Sequence, residues 1–314
     1  MAVPTTLTNL DSGAPALSGS DGALYNVLKW ALPQIGWTLE FDDDVNFRAA
    51  FKNDPSGGLG GYLRVIDKAA DHASDARQAQ VWLYDTMTDV NSGTNPTTET
   101  SFITKSENVN TASREWRIVG DKTSFWLETS IVDPPQDDRW HLHEFGSLHP
   151  RRADDNTFHM LTSSSTPTIT NPWYRKGSTT GTASDPSIKF LFNTEGTSHN
   201  QNGVPLVSAS VISPASTASM LNIGKQGQLV DPVTGKEAFT RSWVSSSGNQ
   251  VRGWVRGMWW PIGDWASAYG SISNFSLETP VGIRSLQLHW YSGRTNTNDS
   301  GGSILLDRTG DWDD

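Results

Sequence analysis

Short apolar runs, rich in β-branched and aromatic residues, recur along this chain at close spacing. Each is cut off by a cluster of Gly, Asn, Asp, Ser or Pro. In the first half they fall at 37–41, 47–52, 62–66, 80–84, 102–105, 115–119 and 124–131. In the second half they fall at 188–192, 206–212, 239–244, 251–260, 285–291 and 304–307. Runs of this length, bounded by turn formers such as Asn53-Asp54-Pro55-Ser56-Gly57-Gly58, read as strands. Gly120-Asp121-Lys122 reads as a tight hairpin turn between two of them. The rhythm favours a sandwich or barrel over a βαβ arrangement. One helix stands out, at about 21–32, where Leu24, Val27, Leu28 and Ala31 share a helical face. Ser20 or Asp21 is placed to cap it, and Pro33 and Gly36 end it. The expected fold is therefore mainly β, with short-stranded antiparallel sandwich or barrel-like lobes and one N-terminal helix.

Residues 1–20 read as an extended arm, because 11–19 is turn-rich and without periodicity. The arm is expected to be mobile in the free chain and fixed against neighbouring subunits. A β-rich lobe follows over 21–160, with a break at Asp133-Pro134-Pro135-Gln136-Asp137-Asp138. Ser, Thr, Gly and Pro dominate 161–187, which reads as a linker or a second arm. A second β-rich lobe is expected over 188–314.

Composition removes several function classes. The chain has no cysteine, so it can have neither a disulfide framework nor thiolate chemistry. Its formal net charge is −10 and its pI about 5.1, against the basic face that nucleic acid or an anionic membrane would demand. No apolar stretch approaches the length of a membrane-spanning helix. The N-terminus starts without a basic or apolar leader, so folding in a cytoplasm is expected.

Motifs that could carry chemistry are sparse. His141-Leu142-His143-Glu144 places two imidazoles on one side of a strand, where both could meet one metal ion, with His149, Asp154, Asp155 and His159 nearby in sequence. A solvated face is the plainer reading of that pair. Asp42-Asp43-Asp44 lacks the alternation and distal Glu of a calcium loop and reads as an acidic turn. Gly57-Gly58-Leu59-Gly60-Gly61 lacks the Lys-Ser/Thr of a phosphate loop. No Gly-x-Ser-x-Gly elbow supports a serine nucleophile. Neither a catalytic residue nor a cofactor is expected.

Interaction chemistry is denser. Three of the fourteen tryptophans and two Arg-Gly steps lie within Val251-Arg252-Gly253-Trp254-Val255-Arg256-Gly257-Met258-Trp259-Trp260-Pro261-Ile262. Trp and Arg are the pair most enriched at the centres of protein contacts. A buried sandwich strand explains the same residues. Read as a regular strand, the segment puts Trp254 and Trp260 on one face and Trp259 on the other. Arg252, Trp254, Arg256, Trp259 and Trp260 are the main contact candidates. Trp173 and Tyr174 in the Ser/Thr-rich segment, and Pro15 and Leu17 in the arm, join them.

The N-terminal run Asp11-Ser12-Gly13-Ala14-Pro15-Ala16-Leu17-Ser18-Gly19-Ser20-Asp21-Gly22-Ala23-Leu24, followed by Gly36-Trp37-Thr38, resembles the opening of a widespread family of tailed-bacteriophage virion proteins. Further matches follow in the same order. They are Tyr62-Leu63-Arg64-Val65 with Asp67, Ala76-Arg77, and Tyr84-Asp85-Thr86-Met87-Thr88-Asp89-Val90-Asn91-Ser92-Gly93. Phe145-Gly146-Ser147, the two Arg-Gly steps and Asp307-Arg308-Thr309-Gly310-Asp311-Trp312 complete the set. A Tyr-Asp stands where the family pattern has Tyr-Glu, and the second half is unusually rich in Trp, Ser and Thr. The resemblance implies a virion structural component and no chemistry. It leaves tail and capsid both open, with a baseplate, tail-tip or short-tail appendage subunit first and a capsid decoration protein second. The implied partners are other virion proteins and further copies of the chain in a symmetric assembly. A carbohydrate-binding adhesin, with or without glycosidase activity, is the rival from another class. It would stack exposed indoles on a host-surface glycan.

Overall fold

The computed structural model describes residues 3–56, 60–72, 75–97, 101–135, 140–150, 157–162, 187–192, 204–206, 239–245, 251–261, 274–279, 282–290, 303–310 and 312. The fold is mainly β, in several antiparallel sheets, with one N-terminal α-helix. The strands of the first half are β1 (Thr5–Thr8), β2 (Thr38–Asp43), β3 (Arg48–Lys52), β4 (Tyr62–Ile66), β5 (Gln78–Tyr84), β6 (Thr86–Asp89), β7 (Ser92–Thr94), β8 (Ser101–Thr104), β9 (Trp116–Gly120) and β10 (Ser124–Ser130). Then follow β11 (Trp140–Ser147), β12 (His149–Pro150), β13 (Thr157–Thr162), β14 (Ser187–Phe192) and β15 (Val204–Leu206). The last are β16 (Phe239–Ser245), β17 (Val251–Pro261), β18 (Asn274–Thr279), β19 (Gly282–Trp290) and β20 (Ser303–Asp307).

These strands form a six-stranded sheet in the order β1-β9-β10-β11-β13-β14 and a five-stranded sheet in the order β2-β3-β4-β5-β8. A seven-stranded sheet runs β15-β16-β17-β20-β19-β18, with β12 also paired to β17. Among the described residues these sheets are open, so the sandwich half of the expectation describes them better than the barrel half. β14 lies beyond the Ser/Thr-rich segment yet sits at the edge of the N-terminal sheet, so the two halves of the chain are not separate in strand pairing. Residues 163–186 of that segment lie outside the described residues.

The helix α1 (Ala23–Ala31) runs into a 3-10 turn at Leu32–Ile35, close to the span that its periodicity implies. Its apolar side, Leu24, Val27 and Leu28, shares one buried cluster with Leu63, Val65 and Val81 of the five-stranded sheet and Ile118, Leu127 and Phe145 of the six-stranded sheet. All are fully buried, at roughly 1.5–3 kcal/mol of stabilisation each. The expected caps do not act as such. Gly22 is the N-cap residue at φ 78, and no side chain of the preceding turn bonds the helix. Asp21 instead accepts the Ala69 N–H at 2.9 Å. The helix end is satisfied from afar, by the Asp67 carboxylate, which accepts the Leu24 and Tyr25 N–H groups at 2.7 and 3.0 Å. That places a negative charge at the positive end of the helix dipole.

The N-terminal residues are part of the lobe, contrary to the arm expectation. β1 pairs along β9 from Thr5–Gly120 to Thr8–Arg117. Leu17 is completely buried, and its carbonyl accepts the Arg114 N–H at 2.7 Å. The Pro15 carbonyl accepts the Trp116 indole N–H at 2.9 Å, and Trp116 meets Trp30 edge-on at 5.9 Å. The absence of periodicity in 9–19 reflects a segment tied down by single bonds rather than a free one.

Two motifs of the resemblance fold onto the outer side of the five-stranded sheet. The β6–β7 hairpin brings Met87 against Tyr62 and Tyr84. Asn91 Oδ1 accepts from Arg48 at 2.8 Å and from Arg64 at 3.0 Å, and Arg64 also donates to the Val90 carbonyl at 2.7 Å. The acidic run resolves into separate bonds. Asp42 and Asp44 hold Lys29 at 2.6 and 2.5 Å, while Asp43 accepts from the Asn46 backbone and amide at 3.1 and 2.8 Å. The expected turn at Gly120-Asp121-Lys122 is present, with the Asp121 carboxylate accepting the Thr123 and Ser124 N–H groups. Among the described residues no helix is long and apolar enough to cross a membrane.

Candidate interaction surface

β17 carries the tryptophan segment and is the seam between sheets. Its residue Gly253 pairs with Pro150, and Trp254 with His149, on the short strand β12 that continues from the six-stranded sheet. A Cβ on Gly253 would lie 2.1 Å from the His149 carbonyl oxygen, so only glycine permits this approach. The His149 ring stacks on the Trp254 indole at 3.8 Å between centroids and 12° between planes.

The faces of β17 differ from those of a regular strand. Trp254 pairs with Trp243 on β16, and Trp259 pairs with Arg241, with a register shift between. The pairing advances two residues on β16 against five on β17 here, so the alternation of a regular strand does not carry from Trp254 to Trp259. An odd spacing on an unbroken strand would separate them. The difference is absorbed by a bulge containing Gly257 at φ +69. Burial places the two indoles on the same, more open side. Val255 and Met258 are buried, whereas Trp254 and Trp259 are half-buried. The expectation that Trp259 opposes Trp254 is therefore corrected, the bulge being the physical reason. For Trp260 and Arg252 the structure describes the backbone only, and Trp173 and Tyr174 lie outside the described residues.

Arg256 is not a surface residue. It is 4% exposed, and its Nε donates to the Ser147 carbonyl at 3.1 Å. Its own carbonyl accepts the Trp126 indole N–H at 3.1 Å. These two bonds fasten β17 across the six-stranded sheet. Leu17 is likewise taken up wholly inside the chain and is a core residue rather than a contact, while Pro15 stays half-buried. Trp312 completes the fastening. It is buried against Gly257, and its indole N–H donates to the Asp307 carbonyl at 2.9 Å. Asp307 Oδ1 accepts the Thr309 and Gly310 N–H groups at 3.1 and 2.8 Å, which shapes the closing loop.

The histidine cluster divides by strand parity. His141 and His143 share a side of β11, as expected, with ring centroids 6.4 Å apart. That side is the core, not solvent, and both are buried. His143 faces the apolar interior opposite Leu127, where burial pushes its pKa down to about 3. Glu144 points to the other side, where its carboxylate lies against the Nε2 of the equally buried His159 of β13. Burial raises the Glu144 pKa, opposed by His159 and by Arg256. Glu144 therefore cannot join His141 and His143 around one ion. Among the described residues no group of three or more His, Asp or Glu side chains could hold a metal. The Glu144–His159 pair escaped the sequence reading because its partners lie on different strands. The alternation of β11 alone would have separated Glu144 from the histidines.

What this region can do chemically is bind by contact. Two half-buried indoles lie on a strand that Arg256, Trp126 and Trp312 fasten to the rest of the fold. No protein-family model and no curated protein sequence matches the chain.

Proposed function

We propose that this chain is a non-enzymatic structural subunit of a tailed-bacteriophage virion, tail-associated as part of a baseplate, tail tip or short-tail appendage. The observation that carries the reading is that Trp254 and Trp259 are both half-buried on one strand, which Arg256 and Trp312 fasten to the rest of the fold. Pre-organised aromatic surface loses little entropy on association, which is what a repeated assembly contact requires. The ordered motifs behind the virion resemblance support it too, since Asp67, Asn91, Gly257 and Trp312 all hold framework bonds or packing. A decoration protein on the capsid would use the same surface. The partners would be other virion proteins and further copies of the chain.

A second reading has one observation in its favour. Two indoles on a common side also suit stacking on the rings of a host-surface glycan. The test is a Trp259→Ala subunit that keeps the wild-type melting temperature. Assembly predicts loss of incorporation into particles, with a contact cost of about 2 kcal/mol or more. Normal incorporation with lost adsorption to host cells would favour the glycan, and normal behaviour in both would overturn this surface as the site.

A further inference from the structure

We propose that Asp67 and Lys105 become joined by an intramolecular isopeptide bond, a covalent staple in a chain that has no cysteine. Both side chains are completely buried, and Lys105 Nζ lies against Asp67 Oδ1. The second carboxylate oxygen, Oδ2, accepts the Leu24 and Tyr25 N–H groups at 2.7 and 3.0 Å. Lys105 Nζ also donates to the Ser20 carbonyl at 2.7 Å. The nucleophile is thus tethered beside its electrophile, and two backbone N–H groups of a helix N-terminus address the oxygen that would carry negative charge during acyl transfer.

The reaction balances within the pair. One ammonium proton passes from Lys105 to Asp67 Oδ1, leaving a neutral amine and a carboxylic acid. The amine lone pair attacks Cγ, and the C=O electrons move onto Oδ2, held by Leu24 and Tyr25. As the carbonyl re-forms, the Cγ–Oδ1 bond breaks. Oδ1 takes a second proton from the nitrogen and departs as water. The product nitrogen keeps one hydrogen and one new bond to Cγ. No oxidant or co-reactant enters.

The surroundings suit the product better than the ion pair. Two opposite charges sealed from water carry a desolvation cost that their attraction does not reliably offset. In accord with this, burial raises the Asp67 pKa to about 6, toward the acid form that the reaction consumes. An amide has no charge, yet it keeps the three bonds now made. Its oxygen accepts from Leu24 and Tyr25, and its single N–H donates to Ser20. The staple would tie the helix N-terminus, β4 and the strand end after β8 together.

Intact-mass measurement and tryptic mapping of the purified full chain test this. The expected mass is one water below that of the sequence. Trypsin should fail to cut after Lys105, and peptide 65–68 should appear joined to peptide 78–114. Lys105→Arg, which preserves the charge but cannot couple in this way, should return the full sequence mass. A wild-type protein at full mass, with the two peptides recovered separately, overturns the proposal. So does a water loss confined to one peptide, which would be a succinimide rather than a cross-link. Neither result depends on whether a variant folds.

Discussion

Trp312 occupies the space that a side chain on Gly257 would need. A Cβ built there lies 2.5 Å from the indole Cε2, and the glycine itself sits at φ +69. The closing residues of the chain thus depend on a glycine far from them in sequence, and the bulge that turns Trp259 to the side of Trp254 depends on the same glycine. Gly257→Ala should cost about 1–3 kcal/mol from crowding, and roughly 1–2 kcal/mol more from the left-handed backbone. Urea unfolding would measure it. An alanine variant within about 0.5 kcal/mol of wild type would mean that the Trp312 contact is not closed in solution.

Leu17 gives the second prediction. As a core residue it should cost about 2–5 kcal/mol when changed to Ala in the isolated subunit. An arm that orders only on assembly would show almost no change in the free protein. The measurement is the same unfolding experiment, made on the purified subunit without any particle. A neutral Leu17→Ala would restore the arm reading.

The Glu144–His159 contact separates polar coupling from packing. Removing one member takes a polar contact from the other in a buried site, at a cost of about 1–3 kcal/mol. Glu144→Leu alone should therefore destabilise strongly. Glu144→Leu with His159→Leu should recover much of the loss, because two apolar groups of similar size need no compensation. A double variant as unstable as the sum of the singles would show that the pair has no coupling.

The strand rhythm, the helix and the hairpin at Asp121 were legible because each is written in local residue order. Apolar periodicity implied a helix at about 21–32, where Ala23–Ala31 is found, and the Gly-Asp-Lys step implied the β9–β10 turn. What stayed hidden was non-local. The helix cap comes from Asp67, more than forty residues away, while Ser20 and Asp21 beside the helix do not cap it. Trp254 and Trp259 share a side only because β16 and β17 slip in register. The five-residue spacing alone says the opposite. His141 and His143 were correctly placed on one side of a strand, but that side is buried, and so is the opposite one with Leu142 and Glu144. Alternation fixes relative orientation, and tertiary packing decides which side is inside.

His143 makes that packing measurable through pH. Its side chain is fully buried, and among the described residues neither ring nitrogen has a hydrogen-bond partner. Burial therefore lowers its pKa from an ordinary 6.5 to about 3. Above pH 6.5 the imidazole is neutral in both folded and unfolded chains, and it contributes no pH dependence. As the pH falls from about 6.5 towards 3, the unfolded chain takes up a proton that the folded chain refuses. Stability should fall through that window by about 1.4 kcal/mol per pH unit at the steepest, and level off below it. His143→Leu removes the titrating group and suits its neighbours Leu127 and Phe145. Urea unfolding at pH 7 and pH 4 should show the variant losing up to about 3 kcal/mol less than wild type between the two. Equal losses would mean that His143 reaches water or a partner in the folded protein, and that the core side of β11 is more open than its burial implies.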